Sequence, residues 1–201
     1  MKRTSTAREP PERSGANGSP RATAQGGPGD EVPRSRKSST VISQEAPVER
    51  VGAATAGGLV VHGETLTVQT AERVELIDVT DRVRMVARSA GVREGTVSVW
   101  SLHTTCALFI NEAQPALHSD IKCFLERTVA RDGDWLHNDP KHSDCDRMNA
   151  DAHLRAMILG HSLTVQVSGG EVVLGQWQRI LAAELDGPRA RTLRIQVMGV
   201  A

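Results

Sequence analysis

The residues with the greatest potential for chemistry in this sequence are histidines, and they are concentrated in one part of the chain. Six of the seven lie between residues 103 and 161: His103, His118, His137, His142, His153 and His161. The segment 135–153 adds four aspartates. Imidazole nitrogens and carboxylate oxygens are ligands of first-row divalent metals. The spacings H-x-x-x-H and H-E-x-x-H do not occur, so a metal site would have to combine residues from separate elements.

Polar residues also follow a predicted strand at 96–102. His103, Thr104 and Thr105 come directly after this strand and precede an apolar run at 106–110. Leaving such groups buried and unpaired would cost about 1–3 kcal/mol each. Either backbone partners or a bound ligand must therefore satisfy them. The next residue, Cys106, is expected to be a small buried hydrophobe rather than a nucleophile.

His153 is predicted to lie on a helix that begins after Asn149 and ends at Gly160. Its neighbours Ala150 and Met157 place it at the edge of the predicted buried face. A histidine in such a position is either a hydrogen-bonded core residue or a ligand or catalyst.

Two carboxylates lie near the strand predicted at 106–110. Asn111 and Glu112 follow this strand directly. Asp120 is expected in the first turn of a helix capped by Ser119, where a carboxylate stabilises the helix terminus. That stabilisation is a sufficient role for Asp120 by itself.

Two later segments carry groups suited to ligand binding. Trp177 and Gln178 follow a glycine at the end of a strand, where the indole either holds a planar ligand or packs in the core. Arg189 and Arg191 follow the turn 186–188. Their guanidinium groups either bind phosphate or carboxylate groups or remain in solvent.

The spacing of hydrophobic residues predicts the elements that position these groups. Alternation at 64–70, 163–167 and 193–197 predicts half-buried strands, and glycine turns predict an antiparallel meander in the C-terminal third. Helical spacing begins at Thr80, Ser119 and Asn149. The predicted inward residues of the second and third helices are Ile121, Phe124, Leu125 and Val129, and Ala150, Leu154, Met157 and Ile158. Strands interrupted by isolated helices predict an α+β fold with mostly antiparallel sheets.

Composition divides the chain into two parts. The segment 1–58 is rich in Arg, Ser, Pro and Gly and has no hydrophobic period, which predicts a disordered tail. All five aromatic residues lie between residues 100 and 177. The segment 59–201 has the size of one domain, so we predict a single folded unit there.

Charge and hydropathy exclude several classes of protein. The 24 basic and 24 acidic side chains cancel to a formal net charge of zero, which argues against a general nucleic-acid binder. No apolar stretch is long enough to cross a membrane, and the N-terminus lacks the apolar core of a secretory signal. The three cysteines are too widely spaced for a disulfide scaffold. We therefore expect a cytoplasmic protein; acidic residues in the tail argue against an organelle transit peptide.

The order of these motifs resembles that of the YjbQ-like family, which carries the name secondary thiamine-phosphate synthase. The resemblance covers about residues 64–199. It rests on His103-Thr104-Thr105, Ile110-Asn111-Glu112, Asp120, His137, Asn149-Ala150-Asp151-Ala152-His153, Gly160, Gly170, Leu174-Gly175-Gln176-Trp177-Gln178, and Asp186-Gly187-Pro188-Arg189 with Arg191. The segment before Leu59 has no counterpart in the family, and Gln176 stands where many members have Thr.

The resemblance implies an α+β sandwich of two sheets with about three flanking helices, assembled as a homotrimer. It also implies an enzyme that joins hydroxymethylpyrimidine diphosphate to thiazole phosphate and releases pyrophosphate. Two alternatives use the same residues. One is a metal-dependent hydrolase of a small metabolite, and the other is a non-catalytic trimeric module that binds a ligand or a metal.

Under this hypothesis the site residues take three roles. The predicted ligands of a divalent metal, Zn or Mg, are His103, His137 and His153. The predicted catalytic residues are His103, Glu112, Asp120 and His153. The predicted contacts to a phosphorylated substrate are Thr104, Thr105, Asn111, Asn149, Trp177, Gln178, Arg189 and Arg191. The hypothesis requires the three imidazoles to converge on one polar cleft once the chain is folded.

Overall fold

The computed structural model describes residues 54–56 and 58–201. The predicted tail, 1–58, lies almost entirely outside these residues. At its end a three-residue strand, β1 (Ala54–Ala56), pairs with β2 (Leu59–Gln69). Such pairing needs only backbone groups, so side-chain alternation could not predict it. Within the described residues, no helix has both the length and the apolar character required to span a membrane.

The strands form two antiparallel sheets. The other elements are β3 (Glu75–Asp78), α1 (Thr80–Ser89), β4 (Glu94–Ser101), β5 (Cys106–Asn111), α2 (Pro115–Thr128), a 3₁₀ turn (Leu136–Asn138), α3 (Ala150–Leu159), β6 (Ser162–Ser168), β7 (Glu171–Val172), β8 (Arg179–Glu184) and β9 (Ala190–Val200). The larger sheet has the order β1-β2-β9-β4-β6-β7, and the smaller has the order β3-β8-β5. The predicted α+β fold is confirmed. The predicted meander is wrong, because β8 lies in the smaller sheet and β9 lies between β2 and β4.

The smaller sheet is covered on both faces. On β5, Cys106 and Leu108 pack with α1 and the larger sheet, whereas Ala107 and Phe109 pack with α2 and α3. Strand β8 is almost entirely buried in the same way. A strand with two buried faces has no alternation of polar and apolar residues, which is why the sequence did not predict β8.

Helix α2 begins earlier than predicted. Its first residue is Pro115, and the side-chain oxygen of Gln114 accepts a hydrogen bond from Leu117 N–H at 2.7 Å. The prediction of a cap at Ser119 is therefore wrong. Glutamine is not among the preferred capping residues, although proline at the first helical position is common. Asp120 consequently lies in the second turn, on the exposed surface of the helix.

Helix α3 turns a different face to the core than predicted. Met157 is 68% exposed, whereas Asp151 and Arg155 are buried beside Ala152 and Ala156. The two charged residues can be buried because Arg155 Nη1 lies 3.4 Å from Asp151 Oδ2 and Arg155 Nε donates to a backbone carbonyl. Hydrophobic spacing does not reveal a buried ion pair, so it selected the wrong face.

A second buried ion pair joins the two sheets. Glu184 ends β8, and Arg191 lies near the start of β9. Arg191 donates to both carboxylate oxygens of Glu184 and, at 3.0 Å, to Thr105 Oγ1. Glu184 also accepts hydrogen bonds from Thr70 Oγ1 at 3.1 Å and from the backbone N–H of Asp186 at 2.7 Å. Both charges are therefore compensated inside the protein.

We expect Glu184→Gln to lower the free energy of unfolding by about 3–5 kcal/mol, because it leaves the buried charge of Arg191 without a counter-ion. Denaturant unfolding followed by circular dichroism measures the change. The matched control is Glu171→Gln, which breaks an exposed ion pair with Arg88. This control should cost less than about 1 kcal/mol. Equal losses in the two variants would contradict a structural role for the buried pair.

Candidate functional site

The structure brings together two of the three histidines predicted as metal ligands. His137 lies on the 3₁₀ turn, and His153 is the fourth residue of α3. Their ring centroids are 5.1 Å apart and their planes meet at 83°, so the edge of one ring points at the face of the other. We call these two residues the histidine pair.

His153 is an uncharged base at neutral pH. Burial lowers the pKa of its imidazole, and the neighbouring His137 lowers it further, whereas the charges of Asp186 and Asp151 act in the opposite direction. A neutral imidazole retains one nitrogen lone pair that can accept a proton. The catalytic role of His153 stays a prediction, and this lone pair is the group that such a role would use.

His103 is engaged elsewhere. Its Nε2 accepts a hydrogen bond from the backbone N–H of Thr192 at 2.7 Å. Burial lowers the pKa of His103, and the positive charge of Arg191 lowers it further, so the ring is neutral and its proton lies on Nδ1. In this arrangement His103 has no lone pair available for a metal.

The remaining side chains do not complete a metal site of the predicted kind. Within residues 58–201, no group of three His, Cys, Asp or Glu side chains is placed to hold one metal ion. The two carboxylates that act on His153, Asp151 and Asp186, are bound by arginines. Because zinc sites use three or four protein ligands, the histidine pair alone does not fit. The divalent metal, Zn or Mg, stays a prediction that this arrangement does not favour.

Asp186 binds three cationic side chains at the surface next to the histidine pair. Its buried carboxylate accepts hydrogen bonds from Arg73 Nη1 at 3.0 Å, Arg147 Nε at 2.7 Å and Arg189 Nη2 at 2.9 Å. Asn149 Nδ2 donates to the same group at 2.8 Å. The arginines come from the β2–β3 connection, the loop before α3 and the β8–β9 turn. We call Arg73, Arg147 and Arg189 the arginine cluster.

The arginine cluster carries more positive charge than Asp186 can neutralise. Its side chains are 27%, 53% and 30% exposed, respectively, so solvent and ligands can reach them. Arg73 also contacts Asp151, which is shared with Arg155, and Arg155 in turn contacts Glu126. This network has one more arginine than carboxylates: its arginines are Arg73, Arg147, Arg155 and Arg189, and its carboxylates are Glu126, Asp151 and Asp186. Guanidinium groups bind phosphate oxygens through paired N–H donors, so the cluster is suited to a phosphorylated ligand.

The turn that carries Asp186 needs glycine at the next position. A Cβ on Gly187 would lie 2.5 Å from the carbonyl oxygen of Glu72 and 2.8 Å from Cγ of Glu184. Contacts this short do not occur for real Cβ atoms, and one of these atoms is backbone. The glycine therefore lets the turn lie close to both the β2–β3 connection and the buried Glu184.

Sequence reasoning identified only part of the arginine cluster. Arg189 belongs to it, but the assignment of Arg191 to phosphate is wrong because Arg191 is buried against Glu184. Arg73 and Arg147 were missed. Each is an isolated arginine outside any motif, and only the folded chain brings them to Asp186.

Of the two threonines predicted to contact a substrate, Thr105 has a structural role. Thr105 is buried and accepts from Arg191, while the carbonyl oxygen of the exposed Thr104 lies 3.4 Å from Nε2 of His161. Cys106 is buried, as expected, and burial raises the pKa of its thiol. Thr105 and Cys106 therefore belong to the buried strand end, whereas the contact of Thr104 to a substrate stays a prediction.

A separate cleft contains two of the other predicted site residues, Glu112 and Trp177. Its lining comprises Asp78, Glu112, Ala113, Gln114, Gln176, Trp177 and Arg179. Arg179 begins β8 and Glu184 ends it, so this cleft and the arginine cluster lie at opposite ends of the strand, about 17 Å apart along it. Glu112 and Trp177 therefore lie away from the arginine cluster within one chain, and of the three imidazoles predicted to converge, His137 and His153 are in contact.

Two predicted substrate contacts of this second region are used internally. The side-chain oxygen of Gln178 accepts from Gly175 N–H at 2.8 Å, and that of Asn111 accepts from Glu112 N–H at 2.9 Å. Both amides therefore hold the backbone around the cleft.

The motifs match a known family. The family model described as YjbQ: UPF0047 protein YjbQ-like matches residues 64–200. A UPF0047 protein of Methanothermobacter thermautotrophicus is 48% identical over 139 residues, which cover 69% of this chain and 93% of the relative. The UPF0047 protein YugU of Bacillus subtilis is 35% identical over 137 residues, covering 68% of this chain and 98% of that protein.

Solved structures show the same fold. A YbjQ-like protein of unknown function from Sulfolobus solfataricus P2 matches with a TM-score of 0.66 and 32% identity, over 70% of this chain and 99% of that one. A hypothetical protein from Aeropyrum pernix K1 matches with a TM-score of 0.64 and 38% identity, over 69% and 98%. The region matched by the family model contains both the histidine pair and the arginine cluster. The chain therefore belongs to the YjbQ-like, UPF0047 family.

Proposed function

We propose that the protein binds a diphosphate ester at the arginine cluster and transfers the organic group of that ester with release of pyrophosphate. One observation carries the proposal: three partly exposed guanidinium groups are held on one buried carboxylate. Cations fixed in advance stabilise the negative charge that develops on a leaving diphosphate. They also bind the ester before the reaction.

The family resemblance suggests hydroxymethylpyrimidine diphosphate as the ester and thiazole phosphate as the acceptor. In this reaction the thiazole ring nitrogen attacks the methylene carbon of the pyrimidine. A carbon–nitrogen bond forms, and the carbon–oxygen bond to the diphosphate breaks with its electron pair leaving on pyrophosphate. The attacking nitrogen carries no proton, so the transfer requires no general base. The arginine cluster would supply the main stabilisation.

Hydrolysis of the same ester is a second candidate, and the lowered pKa of His153 favours it. A neutral imidazole can accept a proton from water as the water attacks. The carboxylates of Asp151 and Asp186 would then stabilise the charged ring. Hydrolysis therefore depends on His153, whereas transfer does not, and this difference separates the two reactions.

We expect Arg147→Ala to weaken the binding of pyrophosphate by about tenfold to a hundredfold, the usual value of a lost hydrogen bond between charged groups. Isothermal titration calorimetry measures the affinity. Arg147 is the most exposed member of the cluster, and Asp186 keeps two other arginine partners in the variant. Arg88→Ala removes an exposed arginine that pairs with Glu171 and serves as the control. The same loss in both variants would contradict a specific anion site.

Phosphorus NMR of the products separates transfer from hydrolysis. For transfer, thiamine phosphate and pyrophosphate form only when both substrates are present, and His153→Gln keeps the activity. For hydrolysis, pyrophosphate forms without thiazole phosphate, the rate falls as pH drops below the ordinary histidine pKa, and His153→Gln loses about 10²–10⁴-fold. Inhibition by a chelator would support the predicted metal. Binding of the ester without any product would overturn the enzyme proposal in favour of a binding module.

The homotrimer also stays a prediction. Exposed apolar side chains on α3, Met157 and Ile158, support a contact between subunits near His153. Light scattering should give about three times the chain mass of 21.6 kDa. Met157→Asp should lower this mass, and Met85→Asp, which changes an exposed methionine on α1, should not. A mass of one chain for the unaltered protein would contradict the trimer.

A further inference from the structure

The cleft at the far end of β8 differs from the arginine cluster in shape and in charge. We call it the tryptophan cleft, and its volume is about 310 Å³. This volume is at the lower end of the range for small-molecule sites, so a compact ligand fits it. The walls come from the end of β3, the β5–α2 connection and the turn before β8.

Trp177 is fixed in an exposed position at this cleft. The backbone N–H of Gln178 donates to the Gly175 carbonyl at 3.0 Å, and Gly175 N–H donates to the Gln178 side chain at 2.8 Å. These two hydrogen bonds close a tight turn with Trp177 at its corner. The indole is nevertheless 66% exposed. A large aromatic ring held out of the core by an ordered turn is accessible to a ligand.

The charged groups of the cleft leave one carboxylate uncompensated. Arg179 Nε donates to Asp78 Oδ2 at 2.7 Å, and its Nη2 lies 3.4 Å from Asp81 Oδ1. The positive charge of Arg179 is thus neutralised by neighbouring aspartates. In the part of the chain that the structure describes, the side chain of Glu112 has no ion pair or hydrogen bond. The cleft is therefore negative, unlike the arginine cluster.

We infer that the tryptophan cleft binds a small organic cation, such as a quaternary ammonium group or an N-alkylated aromatic ring. The face of an indole attracts cations through its quadrupole, and the Glu112 carboxylate adds a negative charge to the same cleft. Anionic ligands are disfavoured here by Glu112 and favoured at the arginine cluster. The two sites therefore select ligand groups of opposite charge.

Fluorine NMR of the full-length protein labelled with fluorotryptophan tests this site. The chain has three tryptophans, and Trp177→Leu identifies the signal of Trp177. The probe is tetramethylammonium, and its uncharged control of similar shape is tert-butanol. We expect tetramethylammonium to shift the Trp177 signal in a saturable manner and tert-butanol to leave it unchanged. The signal of Trp100, which is also exposed, should not move with either compound.

Two variants separate the roles of charge and fold. Glu112→Gln should weaken the binding of tetramethylammonium by about fivefold or more, because it removes a negative charge from the cleft that contains the ring. Glu171→Gln, which changes an exposed glutamate elsewhere, should leave the affinity unchanged. An unmoved Trp177 signal, equal shifts of Trp177 and Trp100, or an unaffected Glu112→Gln variant would each overturn the inference. Arg147→Ala should bind the cation normally, so this site and the proposed anion site can fail independently.

Discussion

The buried ion pair between Glu184 and Arg191 is the contact on which the rest of the site depends. It connects the end of β8 in the smaller sheet to the start of β9 in the larger sheet. Buried charges are tolerated only when their geometry is fixed and their polar atoms are bonded, and hydrogen bonds from Thr70 and to Thr105 meet this requirement. The turn between the two strands, which carries Asp186, is consequently held in one position.

Asp186, on this fixed turn, binds the arginines that make the neighbouring surface positively charged. A buried carboxylate must be compensated, and here Arg73, Arg147 and Arg189 compensate it from three separate connections. Three guanidinium groups exceed what one carboxylate neutralises, so the contacts that satisfy the buried acid leave positive charge at the surface. The stability of the turn and its capacity to attract an anion therefore arise from the same hydrogen bonds.

The architecture was predictable wherever one face of an element meets solvent. Alternating residues predicted β2, β6 and β9, and the α+β class followed from the order of elements. Prediction failed for β8, which is buried on both faces, and for the inward face of α3. On α3 the core accepts Asp151 and Arg155 because they pair with each other. Asp151 and Arg155 are four positions apart on the helix. A hydropathy pattern does not show whether two charged residues at this spacing are paired in the core or exposed to solvent.

The sequence by itself determined the family motifs, the concentration of histidines and the general class of fold. Only the tertiary structure decided which charged groups meet. Arg191 belongs to a motif yet is buried against Glu184, whereas Arg73 and Arg147 belong to no motif and reach Asp186. Residue spacing reports which face of a local element is apolar. The partner of a charge is set by the packing of distant segments, because electrostatic contacts act through space rather than along the chain.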